Sequence, residues 1–251
     1  AMERRIAGQS AGDDFQKLCA LVEKAASAKK RNVAEREERI RARGAEIARA
    51  AREEALQRRE AALAGYDALW LMDDDTLPQP QALEALLQAD EALDGAYGWL
   101  SSRALAPDGS DQPMNRQRRT PYTDLPGYDG ERIPAVMASF VSLFLRADRV
   151  RAYGLPIAEF FIWSDDWEYT RRLSLAQPCY VVPASRVIHA MQNPGTVNIA
   201  ADAPQRWARY RYFYRNDVVL YRREGLRGWL WLLAKDAWHT VQALAGRCPD
   251  K

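Results

Sequence analysis

"ALWLMDDDTLPQP", Ala68 to Pro80, decides how the rest of the chain is read. An apolar run stops on three consecutive aspartates, followed by a threonine and two prolines. Like charges this close repel, and burying them unpaired is costly. A cation at the strand end relieves both problems. Asp67 to Met72 reads as a short buried strand. Pro80 suits the first turn of a helix, and "QALEALLQ" puts Leu83, Leu86 and Leu87 on one helical face. The acids then lie at the carboxyl end of a strand, the edge where open α/β sheets bind ligands. Asp73 and Asp75 alternate on the turn and can point at one divalent ion, as hard oxygen ligands for Mg²⁺ or Mn²⁺. Turn chemistry or capping explains one such aspartate more easily than three.

A second acidic cluster stands in "FFIWSDDWEYTRRL", Phe160 to Leu173. The reading is again strand end to helix start. Ser164 or Asp165 can cap that helix, with Glu168 completing a capping box. Asp166 is then left over. A carboxylate near a helix N-terminus is stabilised as the anion, which suits a general base. "CYVVPASRVIHA", Cys179 to Ala190, reads as one or two short strands ending at His189. That histidine is either a packed core imidazole or, beside an aspartate-rich cation site, a third ligand. Two other motifs for the triplet fit poorly. A haloacid-dehalogenase DxDx[TV] pattern needs Thr or Val where Leu77 stands, and an EF-hand loop is spoiled by Pro78 and Pro80.

The chain has 251 residues, enough for one sizeable core with an extension. A net charge of +2 gives no overall electrostatic case for nucleic acid. Cys19, Cys179 and Cys248 are scattered with no CxxC pair, so neither a zinc knuckle nor a disulfide framework is expected. A cytoplasmic setting is expected, with no signal peptide and no spanning segment. Residues 1–62 are expected to form a charged helical arm, rich in Ala, Glu, Arg and Lys with Glu–Arg pairs at helical spacing. Its arginines are interleaved with glutamates, as on a solvated face rather than a nucleic-acid surface. Residues 63–200 read as the α/β core. Within it, Ala106 to Gly130 reads as a long loop, with a one-sidedly basic stretch from Asn115 to Tyr122. Residues 201–251 read as amphipathic helices. Leu226 to Leu244 is too short and too charged to span a bilayer; its tryptophans suit either a membrane interface or packing on the protein's own core.

Taken in order, "WLMDDDTLPQPQALEALL", "FFIWSDDWEYTRRL", "VIHA" and "YRYFYRNDVVLYRR" resemble the inverting family 2 glycosyltransferases, in particular bacterial galactofuranosyl- and rhamnosyltransferase-like members, over Gly65 to Gly228. The resemblance implies a GT-A-like α/β fold, a mixed sheet flanked by helices. It implies that Asp73, Asp75 and His189 hold Mn²⁺ or Mg²⁺ on a nucleotide-sugar pyrophosphate. It makes Asp166 the catalytic base with Asp165 beside it, and puts Asp74, Trp163, Trp167 and Glu168 in the substrate region. The implied donor is a UDP- or dTDP-sugar, and the implied acceptor a glycan or lipid-linked glycan in cell-surface polysaccharide assembly. The implied location is the cytoplasm or the inner face of the membrane. The family's opening nucleotide-binding strands have no counterpart before Gly65. An alternative role follows from that departure, a non-catalytic glycosyltransferase-like interaction module.

Overall fold

The computed structural model describes residues 65–191, 199, 202 and 207–245, all within a compact unit spanning 51–251. The expected helical arm, 1–62, lies outside the described residues. The described chain is α/β, a mixed sheet flanked by helices, as expected.

Strand β1 (Ala68–Leu71) runs antiparallel to β7 (Leu143–Arg146), and β7 runs antiparallel to β3 (Leu100–Leu105). Next comes β8 (Tyr180–His189), parallel to β3, with β2 (Thr76–Pro78) antiparallel on the far edge. The two-residue β6 (Ile133–Pro134) also pairs with β8. Alternation along each strand sorts side chains to the two faces. Leu69, Leu71, Leu143, Leu145 and Val181 join one core cluster. Trp70, Leu100, Phe144 and Val182 join the other. Helix α1 (Ala82–Ala92) covers the second face. Helices α2 (Ala147–Tyr153) and α3 (Asp165–Ser174) cover the first through Val150, Tyr169 and Leu173. On α1, only Leu86 of the three expected leucines is buried, together with Ala82 and Ala89. Leu83 and Leu87 are exposed, because the helix approaches the sheet on its small-residue side.

The sheet cannot be flat. Four strand spacings separate β1 from β2, about 19 Å at ordinary spacing. Only Met72 to Asp75 join them, and even extended that link reaches roughly 18 Å. It is not extended, because Thr76 N–H donates to the Asp73 carbonyl at 3.1 Å. The sheet therefore curls, and a shift in the β3–β8 register between Ser102 and Arg103 supplies part of the bend. Buried hydroxyls tie the curl. Ser102 Oγ lies 2.6 Å from both Ser142 Oγ and Ser185 Oγ, and Ser185 donates to the Ala82 carbonyl at 2.8 Å.

The expected loop from Ala106 to Gly130 is built rather than loose. It carries the short ribbon β4 (Arg118–Thr120) and β5 (Thr123–Asp124). Gln112, Asn115 and Gln117 are buried in it, and Gln117 Nε2 donates to Ser101 Oγ at 2.9 Å and to the Ser102 carbonyl at 2.8 Å. Polar composition suggested solvent, but these amides are used as internal hydrogen-bond partners. Helices α4 (Trp207–Arg222) and α5 (Gly225–Ala245) complete the described chain and pack as a hairpin. Gly225 makes the turn at φ +63°, and a Cβ on Gly228 would strike the Tyr221 carbonyl, so α5 starts in close contact with α4.

Candidate metal and acid site

The β2–β8 register builds the first half of the site. Thr76 pairs directly with His189, and Ala190 N–H donates to the Asp75 carbonyl at 2.9 Å. The acid turn is thereby held against the end of β8. Asp73, Asp75 and His189 offer ligand atoms all within 4.8 Å of one another. Nε2 of His189 lies 3.0 Å from Asp75 Oδ1 and 3.9 Å from Asp73 Oδ2. The imidazole is buried, whereas the two carboxylates are open to solvent. An ion can therefore reach the carboxylates while the histidine stays fixed.

Asn115 does the fixing. Its Oδ1 lies 2.7 Å from His189 Nδ1, and its Nδ2 donates to Ser139 Oγ at 3.2 Å. An amide oxygen only accepts, so with the amide placed this way Nδ1–H is the donor to Oδ1. Both ring nitrogens thus face acceptors, Asn115 on one side and Asp75 on the other. A neutral imidazole carries one N–H. Satisfying the second contact takes another proton or a cation between Nε2 and the carboxylates. Two carboxylates and one imidazole are a donor set suited to Mn²⁺ or Mg²⁺. Asn115 stands in the polar loop, where its sequence context showed only turn chemistry. Asn115→Ala should keep the fold and lower Mn²⁺ affinity about 10–100-fold, read by calorimetry, because the ring loses the partner that sets its tautomer.

The second half of the site departs from the expected local structure. Phe160 to Ser164 is no strand. Ala158–Phe160 is one 3₁₀ turn, and Phe161, Trp163 and Ser164 all have φ between +61° and +63°. Non-glycine residues rarely adopt that region, and it costs about 1–3 kcal/mol each. The surroundings hold them there. Asn216 Nδ2 donates to the carbonyls of Phe160, Ile162 and Trp163 at 2.9, 3.3 and 2.8 Å. Ser164 Oγ donates to Asp217 Oδ1 at 2.9 Å, and Lys235 pairs with the same carboxylate. Asn216 and Asp217 are buried polar neighbours in an otherwise aromatic stretch of α4. That polar pair inside "YFYRNDVVLY" is the signal that sequence reading passed over.

The capping-box expectation fails. Ser164 takes the N-cap position in a left-handed conformation without a side-chain cap bond, since its hydroxyl is spent on Asp217. Glu168 is fully buried and paired with Arg172 and Arg223. Its carboxylate therefore ties α3 to the α4–α5 connection and is not open to a substrate. Asp166 accepts from the Trp167 N–H at 2.7 Å. Burial pushes the Asp166 carboxyl well above the usual range; the charges of Asp165 and Asp73 push it further, and Arg118 pulls it back. The helix terminus alone had suggested the opposite direction, but desolvation outweighs it.

Arg118 stands beside the second half of the site. Its guanidinium lies 3.6 Å from the Trp167 ring centroid and donates to the Pro121 carbonyl at 2.8 Å and to Tyr221 Oη at 3.1 Å. Trp167 also packs against the cluster of Met137, Leu220, Tyr221 and Leu232. Trp163 meets Tyr210 and Phe213 edge-on at 4.8 and 5.8 Å. Each indole thus has a packing role, and each remains half-buried beside the acids. Asp74 is exposed at the tip of the acid turn.

No family model and no curated protein matches the chain. Among solved structures, A197 from STIV is similar at 13% identity and a TM-score of 0.36, covering 55% of this chain and 68% of that one. A crystal structure of GalNAc-T7 with UDP, GalNAc and Mn²⁺ is similar at 14% identity and a TM-score of 0.42. That match covers 68% of this chain and 36% of the other. Likeness this distant carries no argument about chemistry here, which rests on the residues themselves.

Proposed function

We propose that the chain is a metal-dependent glycosyltransferase of the family 2 kind. In this reading it moves a sugar, with inversion, from a nucleoside diphosphate to a hydroxyl of a glycan or lipid-linked glycan. The observation that carries the proposal is the convergence of Asp73, Asp75 and His189. Asp73, Asp75 and His189 would hold Mn²⁺ or Mg²⁺. When bound, such an ion offsets the charge that builds on a departing diphosphate. Asp166 would accept the proton of the attacking hydroxyl, with the acid pair sharing the local charge through Asp165. Arg118 would moderate that charge, and Asp74, Trp163 and Trp167 would border the sugar. A single displacement with one base inverts the anomeric centre.

Calorimetry with Mn²⁺ and a panel of nucleoside diphosphates tests the reading. The expected result is binding of one base type that requires Mn²⁺ and is lost in Asp75→Ala. No binding across the panel, while Mn²⁺ alone binds, would favour the interaction-module alternative.

A further inference from the structure

Helix α5 is inside out. Its inward side carries Gly228, buried Leu232 and Lys235, the last paired with Asp217. Its outward side carries Leu226, Leu230, Leu233 and Val241, all more than half exposed, with Trp229 and Trp238 exposed beside them. Steps of three, four and eight residues put the four aliphatic side chains in one stripe. The stripe runs about 22 Å along the helix. A helix docked only on its own domain turns such a stripe inward, so this one is built to meet something else.

We infer that the outer face of α5 lies in the surface of an anionic lipid bilayer. Charge selects this occupant. Arg211, Arg215, Arg222 and Arg227 are exposed on the α4–α5 hairpin, whereas Arg223 is tied to Glu168. Its described acids are not exposed: Asp217 is buried, Glu224 is paired with Arg171, and Asp236 is half-buried. An apolar stripe bordered by tryptophans, on a hairpin whose exposed charges are arginines, fits acyl chains below and anionic headgroups around them. A second copy packed stripe to stripe would bring two cationic rims together, which opposes a homodimer on this face. No described helix is long and apolar enough to cross a membrane, so α5 lies in the surface plane. Docking there requires neither metal nor nucleotide.

The test is flotation of the full chain with phosphatidylcholine vesicles, with and without phosphatidylglycerol. Flotation with the anionic vesicles, reduced by high salt, is expected. The double variant Leu230→Glu and Leu233→Glu should cut partitioning by at least about tenfold. Both side chains are exposed, so its melting temperature and Mn²⁺ binding should match wild type. Asp75→Ala should float as wild type does, which separates this result from the fate of the metal site. No flotation with anionic vesicles would overturn the inference. So would a dimer, seen by sedimentation, that the same double variant dissolves without any vesicle effect.

Discussion

Asp166→Asn is expected to lower turnover by about 10²–10⁴-fold with little change in Mn²⁺ binding. The amide keeps the size of the side chain and its bond from Trp167 N–H, 2.7 Å in the wild type, but cannot take a proton. A measurable companion effect has the opposite sign. Burial, Asp165 and Asp73 raise the folded-state pKa of Asp166 above its unfolded value. Between those two values the folded protein holds more protons than the unfolded chain, so stability falls as pH rises through that window. Above the folded pKa the whole cost of a desolvated carboxylate is present. In metal-free protein the asparagine variant should therefore melt above wild type near neutral pH, and the gap should close in acid. A group that weakens the fold while serving the proposed reaction would be a trade between stability and activity. Turnover that survives the substitution would assign Asp166 to shaping the helix start. A variant that melts below wild type at neutral pH would show that the anion is stabilised there after all.

The parts of the fold legible in the sequence were those written in local periodicity. "ALWL" alternates between the two core clusters, and "LFLR" does the same in its partner strand. The acid cluster drew attention because three aspartates at a strand end have no economical apolar explanation. What stayed hidden depends on pairing across the chain. Nothing local announces that β2 sits opposite the end of β8, yet the Thr76–His189 register is what brings Asp75 to the histidine. Nothing local announces that Asn115, 74 residues before His189, orients its ring. Glu168 misled because i,i+3 spacing fits a capping box, whereas two arginines from different elements compete for the same carboxylate and win. Tertiary charge pairing overrides a local cap when the residue is buried, since a lone internal carboxylate is far costlier than an unfilled cap.

Asn216→Ala should have the largest effect on stability, because one amide holds three backbone carbonyls of a strained turn. Its orientation is fixed from both ends. Arg215 Nε and Nη2 donate to Asn216 Oδ1 at 3.1 and 2.9 Å, which leaves Nδ2 for the carbonyls of Phe160, Ile162 and Trp163. Removing the amide leaves those carbonyls without this donor, at a net cost of about 1 kcal/mol for each good bond. The left-handed residues at 161, 163 and 164 then lose the contacts that hold them in place. Together the loss should be about 2–4 kcal/mol. A domain of this size melts lower by roughly 2–4 °C per kcal/mol, so a drop on the order of 4–16 °C is expected. Relaxation of the turn should also move Asp166, since only Ser164 and Asp165 separate it from Trp163. Asn216→Asp distinguishes the two consequences. It keeps the volume but turns a carboxylate oxygen toward three carbonyls, so it should cost at least as much stability as alanine. If either variant melts like wild type, the turn holds its conformation through Ser164 and Asp217 alone, and Asn216 is not its clamp.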